Sequence, residues 1–234
     1  MKGALMAFKF LTLDGRIDQL SPRQISASIP CFPLVGIVFG LVLVFLNRLL
    51  DPYLESEILA TLLIAILALL TGASHFDGLR NTFDASSVKI SLAERQKSIG
   101  AFGVLAIVFV VLLKVQALIV TGETRSLGLL LTPMFARWSL IIFLYGSDSI
   151  AEGSARILAV NVRAWHLVLT TAVVLSFAVF LIGRTALWIG LCLSLFALLG
   201  RSYLRWHNDY VSDDNVGAMI ELSETLSFVL LVSL

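Results

Sequence analysis

Ala101-Phe-Gly-Val-Leu-Ala-Ile-Val-Phe-Val-Val-Leu-Leu-Lys-Val-Gln-Ala-Leu-Ile-Val120 decides the fold class. It is an unbroken apolar run carrying one charge, Lys114. A helix that crosses the hydrocarbon core of a bilayer needs roughly 20 such residues. Six more runs of this kind flank it: about Pro30–Leu49, Ile58–Ala73, Leu127–Tyr145, Leu167–Ile182, Thr185–Leu199 and Gly217–Leu234. Only Gly183 and Arg184 separate the fifth run from the sixth, which predicts a tight helical hairpin. Composition agrees: 58% of the chain is hydrophobic and 14% charged, with a mean hydropathy of +0.94. Soluble domains are nearer a quarter charged, and a globule of this size has too little interior to hide so much apolar surface. The expected architecture is an all-α, polytopic transmembrane helical bundle of about seven spans, with residues 1–234 forming a single integral membrane domain.

The positions of lysine and arginine set the orientation. Twelve fall in the N-terminal segment and in the loops Ser74–Gly100, Gly146–His166 and Gly200–Val216; three fall in the intervening connections, at Arg48, Arg125 and Arg184. This bias puts the N-terminus and the longer loops in the cytoplasm, in a prokaryotic-type inner membrane. Seven spans then leave the C-terminus outside. Asp77, Asp84, Glu94, Asp148, Glu152, Asp209, Asp213 and Asp214 lie on the cytoplasmic side. Loops of mixed sign gathered on one face read as a site. The segment Met1–Ile29 lacks the short apolar core of a signal peptide, and Ala4–Leu13 reads as an amphipathic or re-entrant surface piece. Cys31 and Cys192 lie in apolar runs without metal or disulfide spacing and read as small core residues.

Four constellations carry chemistry. In Thr71-Gly-Ala-Ser-His-Phe-Asp-Gly-Leu-Arg-Asn-Thr-Phe-Asp-Ala85, residues Asp77, Asn81 and Asp84 are four and three apart, which puts them on one helix face. Two carboxylates and an amide oxygen so placed suit a hard cation such as Mg²⁺, with His75 two residues ahead; a solvated polar helix end just past a span has the same look. Gly100 and Gly103 open the next helix beside Lys97, and their amides are aimed where an anion can sit; a plain glycine turn entering the bilayer is the alternative. Arg137 lies deep in an apolar run, as does Lys114. Intramembrane charges usually face the bundle interior, a partner or a watery cavity, and an arginine there either pairs with a carboxylate or grips a phosphate. Asp214 and Glu221 are seven apart on one face, with Glu224 one turn further; an acidic helix start favoured by the dipole is the bland reading.

Taken in order, these residues resemble the cobalamin (5′-phosphate) synthase family, the adenosylcobinamide-GDP ribazoletransferases. Phe10-Leu-Thr12, Phe32-Pro-Leu-Val-Gly36, His75-Phe-Asp-Gly-Leu79 with Thr82 and Asp84, Ile99-Gly-Ala-Phe-Gly103, Ala136-Arg-Trp138, Glu152-Gly153, Asp214, Gly217-Ala218 and Glu221-Leu-Ser-Glu224 follow the family's blocks. The motif around His75 is His-x-Asp-Gly-Leu-Ala-Asp-Thr-x-Asp-Gly in the family. The chain departs from it with Asn81 for the middle aspartate and Ala85 for the last glycine. Gln96 stands near a usual aspartate, and Leu13-Asp14 where an arginine is usual.

The resemblance implies a Mg²⁺-dependent transfer, late in cobalamin biosynthesis. A ribose hydroxyl of α-ribazole, or of its 5′-phosphate, attacks the cobinamide-linked phosphate of adenosylcobinamide-GDP and expels GMP. Asp77, Asp84 and Asn81 are the expected metal ligands, with His75 orienting a carboxylate or ligating. Asp214 or Glu221 is the expected base or second ligand set. Arg137, Lys97, Gly100, Gly103 and Asn81 are the expected substrate-binding residues. The expected partners are corrinoid nucleotide and α-ribazole substrates and membrane lipids, with oligomerisation left open and no nucleic acid. A transporter with Arg137 and Lys114 along its path, and a non-catalytic scaffold for corrinoid enzymes, are the rival readings.

Overall fold

The computed structural model describes residues 2–11, 21–87, 100–147, 151, 153–207 and 211–232. Within them lie α1 (Lys2–Leu11), α2 (Pro22–Ser28), α3 (Phe32–Leu50), α4 (Ser56–Leu70), α5 (Ser74–Ser87), α6 (Ala101–Val120), α7 (Arg125–Leu144), α8 (Gly153–Asn161), α9 (Ala164–Ile182), α10 (Thr185–His207) and α11 (Asp213–Leu231). Among the described residues the only β pairing is an isolated parallel bridge between Ala151 and Val211.

Among the described residues, five helical segments are long and apolar enough to cross a membrane: Pro22–Leu50, Ala101–Val120, Gly122–Leu144, Ala164–Ile182 and Thr185–Trp206. A sixth exists if α4 and α5, joined by a bend, count as one broken span. Five of the predicted runs coincide with these segments, and the run at Ile58–Ala73 falls on the broken pair. The fifteen residues of α4 rise only about 22 Å, short of a hydrocarbon core of about 30 Å. The chain then turns by 89° into α5, through Gly72 and Ala73, both at positive φ. The seventh run is α11, which opens on Asp213 and Asp214 and carries Glu221 and Glu224 along its length.

The bundle is ordered from the inside out. Nearly every residue of α7 and most of α11 are buried. By contrast α3, α6, α9 and α10 turn Leu41, Phe45, Phe109, Phe180, Trp188 and Leu195 outward. Lipid tails are as apolar as these side chains, so their exposure costs little and close packing rather than hydrophobicity joins the helices. The α3–α7 contact shows how: Gly36 and Gly40, one turn apart, lie against the α7 backbone at Pro133 and at Leu129–Leu130. A side chain at either position would hold the two helices apart. Helix α1, with Ala7 and Leu11 buried, packs on α2 and α3, and its Phe8 ring meets Phe39 edge-on at 6.0 Å between centroids. The predicted α9–α10 hairpin is present, turning at Gly183 with φ +60°.

Candidate active site

The site is built where α5 crosses α11. The two backbones approach through a pair of glycines: a Cβ on Gly78 would lie 2.6 Å from the Asp214 carbonyl oxygen and 3.2 Å from Gly217 Cα. One on Gly217 would lie 3.2 Å from His75 Cα. This contact brings the acidic start of α11 against the polar face of α5. Asn81 Nδ2 donates to Asp214 Oδ1 at 3.0 Å, and Asn215 Nδ2 donates to Thr82 Oγ1 at 3.0 Å. Ser212 caps α11, with a reciprocal bond to Asn215. Asp213 turns the other way and accepts from the Ser154 and Ala155 amides at 3.2 and 2.5 Å, fixing the start of α8.

Asp77 and Asp84 do not share one duty. Asp77 is 69% exposed and stands 3.6 Å from Arg80 Nη1. Asp84 accepts from the Gly100 amide at 3.1 Å and from the Gly103 amide at 2.7 Å. The two glycines do face an anion, as their position at a helix start predicts, but here the anion is the chain's own carboxylate. Arg80 lies between these groups. Its Nε and Nη2 donate to Asn81 Oδ1 at 3.3 and 3.0 Å, and its stem crosses the open face of Gly103. Burial pushes the Asp214 carboxyl above its ordinary range, against the opposing pull of the Asn81 amide.

A second polar group lies deeper. Lys114 on α6 donates to Glu221 at 2.5 Å and to Glu224 at 2.7 Å, and Arg137 on α7 pairs with the other oxygen of Glu224. The four side chains are at most 3% exposed, and two charges of each sign balance. His75 is buried against the same group, with Nδ1 at 3.9 Å from Glu221. Arg137 Nε and Nη2 and His75 Nδ1 are buried without a hydrogen-bond partner among the described residues.

The predicted site residues therefore divide. Asp77, Asn81 and Asp214 come together; Asp84, Gly100 and Gly103 join α5 to α6; His75, Glu221 and Arg137 belong to the buried ion-pair group. Lys97 lies outside the described residues. Sequence reasoning gave no role to Arg80 or Asn215, and treated Lys114 and Glu224 singly. The signal for the latter was available: two buried cations in spans require two carboxylates, and Glu221 and Glu224 are the acids closest to the middle of a span.

Among the described residues no three His, Cys, Asp or Glu side chains converge as a metal-binding group. The oxygen of Asn81, an expected ligand, is taken by Arg80, which leaves the carboxylates of Asp77 and Asp214 as the hard oxygen donors. That fits Mg²⁺, which needs only one or two carboxylates when phosphate oxygens and waters complete its shell.

Beside this set, between α5, α6, α10 and α11, run two adjoining cavities of about 610 and 670 Å³. They share Phe83, Phe102, Phe196 and Leu222. Thr82, Asn215 and Tyr203 are the polar side chains that line the first.

A multi-pass helical membrane protein with an oxygen-rich polar site at a close helix crossing, opening on an aromatic groove, has the form of a membrane-embedded transferase. Comparison with known proteins identifies the family. The model of the family described as cobalamin-5-phosphate synthase matches residues 3–232, and the chain belongs to that family. Adenosylcobinamide-GDP ribazoletransferase of Pseudomonas paraeruginosa is 35% identical over 99% of this chain and 98% of its own length. The protein of the same name from Geotalea daltonii is 31% identical over 91% and 88%. That from Thermoanaerobacter pseudethanolicus is 29% identical over 100% and 98%. No solved structure matches the chain.

Proposed function

We propose that this chain transfers the adenosylcobinamide-phosphate group of adenosylcobinamide-GDP to α-ribazole or its 5′-phosphate, releasing GMP, at the cytoplasmic face of a prokaryotic inner membrane. Membership of the family over nearly the whole chain carries the reading. In the reaction a ribose hydroxyl oxygen bonds to the phosphorus next to cobinamide, the bond from that phosphorus to the GMP oxygen breaks, and the hydroxyl proton leaves. Mg²⁺ would neutralise charge on the pyrophosphate. Asp77 is its ligand from this chain; the Asn81 oxygen is occupied by Arg80.

Asp214 is the proton acceptor. Its carboxyl is raised by burial, which makes it a better base than an exposed aspartate. Glu221 is less suited, because Lys114 already donates to it at 2.5 Å deep in the bundle. Asp84 positions α6 rather than touching substrate. The groove lined by Phe83, Phe102 and Tyr203 suits the flat aromatic base of the ribazole.

The test is direct. Detergent-purified protein is incubated with adenosylcobinamide-GDP, α-ribazole 5′-phosphate and Mg²⁺, and GMP and the complete corrinoid are read by mass. Both products, lost on addition of EDTA, are expected. A folded, monodisperse protein that forms neither refutes the assignment.

A further inference from the structure

Arg80 occupies a telling place. Along α5, Arg80 and Asn81 stand between Asp77 and Asp84, so one positive charge lies on an otherwise acidic stretch. The structure shows where the positive charge goes. Two guanidinium nitrogens are held by Asn81 Oδ1 at 3.3 and 3.0 Å, while Nη1 stands 3.6 Å from Asp77, too far for a good hydrogen bond. The side chain is about one-third exposed. With five donors in a fixed fork, Arg80 keeps donors for a ligand on the accessible side of the cluster. An aspartate at position 81 would neutralise it; the neutral Asn81 orients the guanidinium and leaves its charge available. The other anion-binding element nearby, the start of α6, already has its Gly100 and Gly103 amides on Asp84. Arg137 is fully buried and paired with Glu224.

We propose that Arg80 binds the pyrophosphate of the nucleotide substrate directly, with Asn81 as its positioning residue, so that a guanidinium does part of the charge neutralisation that a further carboxylate-bound cation would otherwise supply. This rests on the transferase reading above. A planar, permanently charged fork suits two phosphate oxygens better than an ammonium does. Arg80→Lys is therefore a poor replacement, and Arg80→Gln keeps the length and a donor while removing the charge.

Two measurements test it. The first is binding of inorganic pyrophosphate by calorimetry in EDTA, where no divalent ion contributes. Wild-type protein should bind, and Arg80→Gln should bind about 10- to 100-fold more weakly with an unchanged melting temperature, since a lost charge-assisted contact is worth about that factor. The second is steady-state kinetics, where Arg80→Gln should raise KM for adenosylcobinamide-GDP and leave KM for α-ribazole 5′-phosphate nearly unchanged. Equal pyrophosphate affinity in the two proteins, or none in either, overturns the proposal. If Arg80→Gln melts early, Arg80→Lys is measured instead; a correctly folded Arg80→Lys protein that binds as tightly as wild type also overturns it. The two readings fail separately. Arg80-dependent pyrophosphate binding without product formation sinks the transferase assignment alone. Product formation with unaltered kinetics in Arg80→Gln sinks the Arg80 role alone.

Discussion

Glu224→Gln should be among the most damaging single-atom changes in this protein. The Glu224 carboxylate is 1% exposed, receives Lys114 Nζ at 2.7 Å on one oxygen, and pairs with Arg137 on the other. At 2.7 Å and an effective dielectric near 20, one such contact has a gross Coulomb energy of about 6 kcal/mol. Removing the charge also removes its desolvation penalty of several kcal/mol. What remains is the cost of leaving two buried cations with one carboxylate, about 3–5 kcal/mol. For a chain of this length that corresponds to a fall in melting temperature of roughly 6–20 °C. Unfolding followed by circular dichroism in detergent measures it. The companion variant is Lys114→Met with Glu224→Gln, which leaves Arg137 and Glu221 as one charge of each sign. The double variant should lose about 0.5–3 kcal/mol less than the sum of the two single losses, the range for directly coupled side chains. A Glu224→Gln protein that melts within a degree or two of wild type, or strict additivity of the pair, would refute the view that charge balance holds these helices together.

Other consequences concern the site. Gly78→Ala places a methyl 2.6 Å from the Asp214 carbonyl oxygen; the helices must part, at about 1–3 kcal/mol, and turnover should fall more steeply than stability because Asp214 moves off Asn81. Asp77→Ala should abolish turnover and leave the melting temperature near wild type, whereas Asp84→Ala should lower both, by about 1–2 kcal/mol in stability for the lost helix cap. If Asp214 is the base, rate is present when it is deprotonated and is lost as pH falls through its raised pKa. The acid limb of the rate profile should therefore lie above about pH 4, the ordinary aspartate value, and Asp214→Asn should be inactive at every pH. Ala73→Gly should raise the melting temperature modestly: Ala73 has φ +58°, a left-handed conformation that costs a non-glycine residue about 1–2 kcal/mol.

Much of the bundle was legible because bilayer thickness imposes a length on every apolar run. Ala101–Val120 is both the predicted span and the helix in the structure, and the Gly183–Arg184 break is a real turn. The run at Ile58–Ala73 hid a bend for a physical reason. Hydropathy does not register a right-angle turn at Gly72–Ala73, so a short helix and a bend read as one span. The run at Gly217–Leu234 falls on helix α11, but its pairing was not legible. Its carboxylates are tolerable only because Lys114 and Arg137 meet them from α6 and α7, and spacing along one helix does not reveal which face of another helix lies opposite. Lys114 and Glu221 are 107 residues apart in the chain.

The same limit governs the site, and Asp84 shows it most clearly. The acidic face of α5 and the glycine-rich start of α6 were each legible, one as a cation site and the other as an anion site, and each was assigned to substrate or metal. A carboxylate and a set of unpaired helix amides are also complementary to each other. The fold brings Asp84 to Gly100 and Gly103, where the absent side chains leave the amides open, and the two signals satisfy one another. On the proposed reading, Asp77 and the guanidinium that Asn81 holds remain for substrate. Asp214 joins them from α11 because Gly78 and Gly217 let the helices touch. A sequence shows which groups need partners; the helix crossings decide which needs are met within the chain and which remain for a substrate.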